Sequence, residues 1–424
     1  MKWVSTRSAS TPVPFIDALF AGTAPDGGLY IPERLDPLPP GTVDSLRGAG
    51  IVDIGTCVGS HLLRDEITPE ALRPLIAEAL DFPIPLVPVA DRVWALELFH
   101  GPTMAFKDVG ARVQARLLHH FTDGTPLTIL VATSGDTGSA VAQAFHRVPD
   151  TRVFVLYPEG QVSDVQEAQM ASLGDNVTAV AMRGTFDDCQ RLVKQAFADD
   201  ALRQYVWLTP ANSINLGRLL PQVIYYFILA RLSDPIVSVP SGNFGNLTAG
   251  VIAKRLGLPV KKFMAATNVN DTVPQYLRTG DYQPKPSVRT VANAMDVGAP
   301  NNWERIQALY NSNIDDIRHD ISGCSYTDAQ VIEEIGRVFR QHEYLLDPHS
   351  AIAWLALQNA LDADPGAQGV FVATAHPGKF REVVEPAIGR TVPLPRPLQE
   401  ALGRPRHSVS MDVDYGALRE FLLQ

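Results

Sequence analysis

Residues 132–140 read ATSGDTGSA, and residues 239–250 read VPSGNFGNLTAG. In each stretch an apolar run typical of a β-strand stops at glycine and small hydroxyl or amide residues, and a helical pattern follows at once. Glycine lets the backbone turn sharply and approach a ligand closely. Two such strand-to-helix turns in one chain indicate parallel strands joined by helices, which is the organisation of an α/β protein.

The same alternation continues on both sides of these turns. Runs rich in β-branched and aromatic residues predict strands at 93–99, 127–133, 153–157, 177–182, 236–239 and 369–374. Helical patterns predict helices at 68–80, 106–121, 139–145, 164–173, 187–198 and 247–256. Because the strands are continuous apolar runs, we expect them to be buried in mostly parallel sheets. A proline- and glycine-rich stretch at 25–50 indicates a loop-rich cap, and a second proline-rich stretch at 81–91 is a candidate boundary between a small N-terminal unit and the rest.

The composition is that of a globular protein, with 424 residues, 46% of them hydrophobic, and a net charge of −10. Because no Lys/Arg run interrupts the acidic balance, we expect neither nucleic-acid nor membrane partners. No apolar stretch is long enough to span a bilayer. Cys57, Cys189 and Cys324 are widely spaced and odd in number, which predicts neither a metal site nor a disulfide framework. We therefore expect a cytoplasmic protein that acts on a small molecule.

Both glycine turns are candidate anion sites, because free backbone N–H groups at the start of a helix attract negative charge. Neither turn contains Lys or Arg, so a phosphate there would rest on backbone amides and neutral side chains. The alternative is a tight strand-to-helix turn without a ligand. Two such turns at the strand ends of one α/β chain favour two bound anionic groups.

Lys107 lies in FHGPTMAFKDVGAR, just after a predicted strand and in the first turn of a predicted helix. The positive end of the helix dipole and the apolar neighbours disfavour its charged form. A neutral lysine is a nucleophile that forms Schiff bases. Most lysines are only solvated surface charges. Beside an uncharged phosphate loop, however, Lys107 indicates the lysine that binds pyridoxal 5'-phosphate (PLP).

Thr374 ends the predicted strand in VFVATAHPGKF, residues 370–380. Its hydroxyl is a candidate partner for the pyridine nitrogen of the cofactor. A hydroxyl, unlike an aspartate, does not hold that nitrogen protonated, which suits elimination and replacement better than transamination. The alternative is a threonine that merely closes a buried strand.

Together these motifs resemble the threonine synthase family, within the fold type II (β-family) PLP enzymes. The resemblance runs nearly end to end and is carried by STRS (5–8), TAPDGGLYIPE (23–33), FHGPTMAFKD (99–108), ATSGDTG (132–138), NSINLGRLLPQ (212–222), PSGNFGN (240–246), ATNVNDTVP (266–274), AMDVGAPNN (294–302), DPHSAIA (347–353) and ATAHPGKF (373–380). It implies two packed α/β domains with mostly parallel sheets plus a small N-terminal cap. The expected division is a cap at 1–90, a large PLP-binding domain at 91–104 and 213–424, and a smaller domain with the substrate loop at 105–212.

The resemblance also implies roles for individual residues. Lys107 would bind PLP covalently and act as the catalytic base, and Thr374 would meet the pyridine nitrogen. The residues expected to cradle the cofactor phosphate are Gly242, Asn243, Phe244, Gly245 and Asn246. Those expected to receive the substrate carboxylate are Ser134, Gly135, Thr137 and Gly138. Asp136 stands where related PLP lyases carry Asn near the phenolic oxygen of the cofactor. Because two adjacent negative charges are unfavourable, we expect Asp136 to share a proton with that oxygen.

The implied reaction makes L-threonine and phosphate from O-phospho-L-homoserine and water, by γ-elimination of phosphate and β-addition of water. Arg218 is the candidate binder of the substrate phosphate, because an arginine fork suits phosphate, with help from Asn212, Ser213 and Asn215. The alternative is that Arg218 lies on a helix surface. The other basic residues considered, Lys261, Lys262 and Lys379, are expected to be solvated.

Three other interpretations stay open. A related fold type II lyase, such as a threonine dehydratase, would use the same lysine and phosphate loop, although the SGDTG loop and the long cap favour threonine synthase. A non-catalytic threonine synthase-like binding protein is the second, and the retained Lys107, SGNFGN and Thr374 argue against it. The third is a phosphate-binding α/β module without PLP. The expected assembly is a monomer or a homodimer.

Overall fold

The computed structural model describes residues 1–7 and 11–424, so Ser8 of the STRS motif lies outside the described residues. The N-terminal cap begins with a two-stranded antiparallel ribbon. Its elements are β1 (Trp3–Ser5), α1 (Phe15–Ala21), β2 (Tyr30–Pro32), α2 (Thr42–Ser45), α3 (Ile51–Leu62) and α4 (Pro69–Ala79). The predicted helix at 68–80 is confirmed as α4. It begins there because the Thr68 hydroxyl accepts a hydrogen bond from the Ala71 N–H and a proline occupies the first turn.

A strand hairpin and a long helix follow the cap: β3 (Leu86–Ala90), β4 (Val93–Glu97) and α5 (Lys107–Thr122). The predicted cap boundary at residue 90 is wrong, because β3 pairs antiparallel with β4 as the edge strand of the large sheet. Proline is compatible with such an edge position, since an edge strand leaves some N–H groups unpaired.

The smaller domain contains a five-stranded sheet in which every pair of neighbours is parallel. Its elements are β5 (Leu127–Ala132), α6 (Asp136–Phe145), β6 (Thr151–Pro158), α7 (Asp164–Ala171), β7 (Val177–Met182), α8 (Phe186–Ala198), α9 (Asp200–Arg203) and β8 (Leu208–Thr209). The helix α10 (Leu216–Tyr226) is buried along its whole length and packs against α3 and α5. It therefore joins the cap to the rest of the molecule.

The large domain contains a six-stranded sheet whose order is β11-β10-β9-β12-β4-β3. Its further elements are β9 (Ile236–Pro240), α11 (Gly245–Arg255), β10 (Lys262–Thr267), α12 (Thr272–Thr279), α13 (Trp303–Leu309), α14 (Ile314–Asp320), β11 (Ile321–Ser325), α15 (Asp328–His342), α16 (Pro348–Ala363), β12 (Gly369–Ala373) and α17 (Arg381–Ile388). All residues of β9 and β12 are buried, as the continuous apolar runs predict. The α/β class and the mostly parallel sheets are confirmed.

The C-terminal segment returns to the smaller domain, through α18 (Arg396–Gly403), β13 (Ser408–Met411) and α19 (Tyr415–Leu423). β13 pairs with β7 as an edge strand, and α19 packs against α8. The prediction that residues 213–424 all belong to the large domain is therefore wrong for this segment. In the part of the chain that the structure describes, each helix is too short or too polar to cross a bilayer.

Candidate active site

The candidate site lies at the carboxyl ends of three neighbouring strands of the large sheet, β9, β12 and β4. Parallel strands deliver their following loops to the same edge of a sheet. That edge therefore collects the SGNFGN loop after β9, the Thr374 segment after β12 and the segment that leads from β4 to Lys107. The topology brings together the three motifs that the sequence singled out.

Backbone hydrogen bonds fix Lys107 beside the end of β12. The Phe106 N–H donates to the Thr374 carbonyl at 2.8 Å, and the His376 N–H donates to the Met104 carbonyl at 3.0 Å. Met104 has a positive φ of 58°, a strained conformation for a residue with a side chain. These contacts place the first turn of α5, and with it Lys107, next to Thr374.

The turn before Lys107 is stabilised by hydrogen bonds between Thr103 and the Asp108 side chain. The Asp108 carboxylate accepts hydrogen bonds from the Thr103 N–H at 2.9 Å and the Thr103 hydroxyl at 2.6 Å. Asp108 is buried, and burial raises the pKa of its carboxyl to about 6. The two hydrogen bonds from Thr103 oppose that rise because they stabilise the charged form.

Lys107 is half-buried, and its ammonium group donates to no protein group among residues 1–7 and 11–424. Desolvation lowers its pKa from 10.5 to about 8. Asp136 opposes this shift, and the positive charges of Lys379 and Arg218 reinforce it. An unpartnered lysine with a lowered pKa is the group that Schiff-base chemistry needs.

The SGNFGN loop forms a cradle of backbone N–H groups at the start of α11. Phe244 takes a left-handed conformation with φ 61°, and no side chain caps the helix. The N–H groups of residues 242–247 find no acceptor in the described parts of the chain. A Cβ on Gly242 would lie 2.8 Å from the Ala294 carbonyl oxygen, so the loop has no room for a larger residue there. These features fit an anion held by backbone donors.

Asn246 supplies a further donor to the cradle. Its side-chain oxygen accepts hydrogen bonds from the hydroxyls of Tyr225 at 2.8 Å and Tyr226 at 2.7 Å. Its Nδ2 atom is buried and has no hydrogen-bond partner among the described residues. A buried amide donor without a partner is costly. The two tyrosines therefore fix the orientation of Asn246 and leave its Nδ2 atom available as a donor.

Asn243 and Ser213 connect this cradle to the NSINLGR loop. The Asn243 amide donates to the Ser213 hydroxyl at 2.7 Å, and its oxygen accepts from the Asn301 N–H at 2.6 Å. The Asn302 amide reaches the Ser213 carbonyl at 3.4 Å. The predicted phosphate loop and the predicted substrate loop thus form one hydrogen-bonded unit.

Arg305 anchors this unit and was not found from the sequence. It is fully buried and donates to the Tyr30 carbonyl at 2.9 Å, the Ile214 carbonyl at 2.6 Å and the Asn302 side-chain oxygen at 2.6 Å. Desolvation lowers the pKa of its guanidinium to about 9. Its partners lie far apart in the chain, so no local pattern could reveal that one arginine joins the cap to the NSINLGR loop and to Asn302.

The SGDTG loop, predicted to receive the substrate carboxylate, lies at the start of α6. Gly135 has φ 145°, and a Cβ there would collide with the Gln166 side chain at 2.4 Å. The Thr133 hydroxyl accepts from the N–H groups of Gly135 at 2.9 Å and Gly138 at 2.8 Å. Ser134 is exposed and Thr137 is half-buried. The loop therefore offers hydroxyls and a helix start to a carboxylate.

Asp136 has a partner that the sequence interpretation missed. The Lys379 ammonium lies 2.7 Å from Asp136 Oδ1, and the prediction that Lys379 is solvated is wrong, since it is 4% exposed. Burial raises the pKa of the Asp136 carboxyl, but the positive charges of Lys379 and Lys107 lower it more, and the net shift is downward. A shared proton on Asp136 is therefore not needed, because Lys379 compensates its charge.

The NSINLGR loop divides the predicted phosphate binders into two groups. Asn215 is fully buried, and its side chain is hydrogen-bonded within the protein. Its oxygen caps α10 by accepting from the Gly217 N–H, and its amide donates to the Leu19 and Pro210 carbonyls. These bonds do not support its predicted role in substrate binding. Asn212 and Ser213 remain half-buried, and Asn212 Oδ1 has no partner within the described ranges.

Arg218 is 2% exposed, so the alternative of a surface arginine is wrong. Its Nη1 atom donates to the Ala211 carbonyl at 2.7 Å, while its buried Nε atom has no partner among the residues the structure describes. Desolvation lowers the pKa of its guanidinium to about 10. An incompletely paired guanidinium whose charge is felt by Lys107 suits an anionic ligand close to that lysine.

The residues present fit PLP. Lys107 is available for covalent attachment, the SGNFGN cradle and Asn246 Nδ2 offer neutral donors to a phosphate, and the Thr374 side chain stands at the neighbouring strand end. No group of His, Cys, Asp and Glu side chains within residues 1–7 and 11–424 is arranged to hold a metal ion.

Comparisons with known proteins agree with this site. Residues 81–375 match the family model of pyridoxal-phosphate dependent enzymes, residues 2–80 that of the threonine synthase N terminus, and residues 350–422 that of the threonine synthase C-terminal region. The chain is 43% identical over 429 residues to threonine synthase of Escherichia coli, covering 100% of this chain and 99% of the relative. It is 44% identical over 418 residues to threonine synthase of Haemophilus influenzae, covering 97% of each.

Solved structures give the same result. The crystal structure of threonine synthase from Escherichia coli superposes with a TM-score of 0.92 at 42% identity, over 100% of this chain and 99% of that one. PLP-bound threonine synthase from Brucella melitensis superposes with a TM-score of 0.94 at 36% identity, with the same coverage. The alternative of a phosphate-binding module without PLP is wrong. The chain belongs to the threonine synthase family and is a PLP-dependent enzyme of fold type II.

Proposed function

We propose that the enzyme converts O-phospho-L-homoserine and water into L-threonine and phosphate, with PLP bound at Lys107. The observation that carries the proposal is the presence of two candidate phosphate sites near one lysine of lowered pKa. One site, SGNFGN, has only neutral donors, and the other contains the buried Arg218. Two separate phosphate-binding groups suit a phosphorylated cofactor and a phosphorylated substrate.

In this proposal the cofactor phosphate lies in the cradle of Gly242, Asn243, Phe244, Gly245 and Asn246. Asn246 directs its Nδ2 atom into that cradle because Tyr225 and Tyr226 hold its oxygen. Thr374 meets the pyridine nitrogen as a neutral hydroxyl. Bound PLP supplies an electron sink for negative charge that develops at the substrate Cα.

The substrate lies between the two domains. Its carboxylate is received by the hydroxyls and helix start at Ser134, Gly135, Thr137 and Gly138. Its phosphate is bound by Arg218, Asn212 and Ser213. These contacts fix the chain of the substrate at both ends, so that Cα and Cβ both face the Lys107 amine. Positioning of this kind removes much of the entropic barrier to proton transfer.

Lys107 then acts as the proton carrier. Its neutral amine takes the proton from Cα and next from Cβ, and phosphate leaves from Cγ with the bridging oxygen. Lys107 returns one proton to Cγ, which becomes the methyl group. The hydroxyl of water adds at Cβ while the remaining proton of that water goes to the released phosphate, and Lys107 returns the other proton to Cα. The lowered pKa of Lys107 supports this role, because a base is most effective when its pKa lies near the working pH.

A related lyase that releases ammonia is the rival proposal. Threonine deaminase from Solanum lycopersicum shares the fold, with a TM-score of 0.59 at 16% identity. Arg218 and the NSINLGR loop favour a phosphorylated substrate over threonine itself. We also propose that the enzyme is a monomer or homodimer and works in the cytoplasm. Its three free cysteines suit that reducing compartment.

The test follows threonine and phosphate together after O-phospho-L-homoserine is added to the PLP-loaded enzyme. We expect the two products in equal amounts, and no product from Lys107→Ala. Arg218→Met is expected to raise KM for the phosphorylated substrate far more than it weakens PLP binding. A keto acid with ammonia in place of threonine would support the deaminase-like lyase.

A further inference from the structure

Lys379 and Asp136 form a buried ion pair that crosses from one domain to the other. Their side chains are 0% and 5% exposed, and the Nζ–Oδ1 distance is 2.7 Å. Lys379 lies between β12 and α17 in the large domain, and Asp136 is the first residue of α6 in the smaller domain. Burying two charges is costly unless each has partners, so a pair in this position needs a reason.

Each member of the pair is tied to a segment of the active site. The Lys379 ammonium also donates to the Thr103 carbonyl at 2.9 Å, in the turn that leads to Lys107. Asp136 Oδ1 also accepts from the Gln166 amide at 3.1 Å, and Gln166 packs against Gly135 of the SGDTG loop. The pair therefore connects the turn before Lys107 to the predicted carboxylate loop.

The charged groups around the Lys107 amine make the electrostatic role of the pair clear. The charges that act on the Lys107 amine are Asp136 on the negative side and Lys379 and Arg218 on the positive side. Asp108 and the half-buried His376 face Lys379. The Gln166 amide and the Lys379 ammonium group both lie within hydrogen-bond distance of Asp136 Oδ1. Besides Lys379, Lys107 is the cation whose charge lowers the pKa of this carboxylate.

We propose that Lys379 is a positioning residue of the active site, whose buried ammonium group neutralises Asp136 and so leaves Lys107 free to react as a neutral amine. An opposite charge favours the ionised form of a nearby group, so an uncompensated Asp136 would hold a proton on Lys107. Lys379 takes over that ion pair, and its own charge also disfavours a second cation close by. The inference rests on the proposed role of Lys107.

The test measures the titration of Lys107 directly in the full chain. After removal of the cofactor, the protein is labelled with trace acetic anhydride across a pH series, and the Lys107 peptide is quantified by mass spectrometry. The variants are Lys379→Met, Lys379→Arg, Asp136→Asn and the double variant Lys379→Met/Asp136→Asn. Lys194→Met, an exposed lysine on α8, is the matched control.

We expect Lys379→Met to raise the midpoint of Lys107 labelling by about one pH unit, the size of a typical charge–charge effect on a pKa. Asp136→Asn is expected to lower it by a similar amount. Lys379→Arg and the double variant should stay near the wild-type midpoint, because both keep the local charge balanced. The pH midpoint of the visible absorption band of the PLP-loaded enzyme should move in the same directions.

An unchanged midpoint in both single variants would overturn the proposal, even if their melting temperatures fall, because a purely structural pair changes stability alone. If Lys379→Met does not fold, Asp136→Asn and the double variant decide: equal midpoints in these two and in the wild type refute the inference. Since labelling needs neither cofactor nor substrate, this failure would leave the proposed reaction standing. Failure of the reaction would appear instead as missing threonine from O-phospho-L-homoserine.

Discussion

The titration of Lys107 in the wild-type chain is the prediction that the structure carries furthest. Its pKa falls from 10.5 to about 8 because burial disfavours the ammonium form. At pH 7 an amine with a pKa of 10.5 is neutral in roughly 0.03% of molecules, and one with a pKa of 8 in roughly 9%. The environment therefore increases the reactive fraction about 300-fold at neutral pH.

Trace labelling with acetic anhydride measures this fraction without the ionisation of PLP interfering. We expect the Lys107 labelling rate to rise about tenfold per pH unit in neutral solution and to level off near pH 8. The exposed Lys194 in the same digest provides the reference rate for reagent and pH.

A Lys107 rate that keeps rising in parallel with solvated lysines, whose pKa is near 10.4, would refute the reasoning. Burial around the first turn of α5 would then not control the amine, and the electrostatic account of the site would fail with it.

Three further predictions concern the parts of the site that hold ligands and charges. Gly242→Ala should weaken PLP binding about tenfold, because the new methyl group meets main-chain atoms of residues 294–295 at 2.8 Å. An absorbance titration measures PLP binding, and Gly366→Ala, whose methyl group meets no atom closer than 4.0 Å, is the control. Arg305→Met should lower the free energy of unfolding by about 3 kcal/mol, since three acceptors, two of them in buried hydrogen bonds, lose their donor. A loss below about 1 kcal/mol in urea unfolding would contradict that anchor role. The folded-state pKa of Asp136 is lowered, so its ionised form stabilises the fold above the unfolded carboxyl pKa of about 3.9, and this stabilisation is lost as the pH falls further. The difference in free energy of unfolding between wild type and Asp136→Asn should therefore become smaller in acid. A difference that stays constant with pH would contradict the stabilising role of the ion pair.

The fold was largely predictable because its signals are local. The apolar runs before the two glycine turns gave β5 and β9, and the helical patterns after them gave α6 and α11. The C-terminal edge strand β13 was not predictable, because pairing with β7 depends on a partner more than two hundred residues away. Its four mostly exposed residues carry no apolar run that would mark a strand.

The candidate site was predictable only where one motif contains the chemistry. Lys107 and the SGNFGN cradle follow from residue type and position within a strand–turn–helix unit. The role of Lys379 did not follow, because an isolated lysine gives no sign of burial, and its partner Asp136 belongs to the other domain. The predicted role of Asn215 in substrate binding is not supported, although its motif is typical of a binding loop. The hydrogen bonds of its side-chain amide are made to other groups of the protein.

The most direct test of the proposed reaction is to run it in water enriched in oxygen-18 and to analyse both products by mass spectrometry. The account predicts one heavy oxygen in threonine, at the hydroxyl on Cβ, and none in the released phosphate, because the Cγ–O bond breaks and water adds at Cβ. Heavy oxygen in the phosphate, accompanied by homoserine, would show cleavage of the P–O bond by water. That result would contradict the proposed elimination and the role given to Lys107.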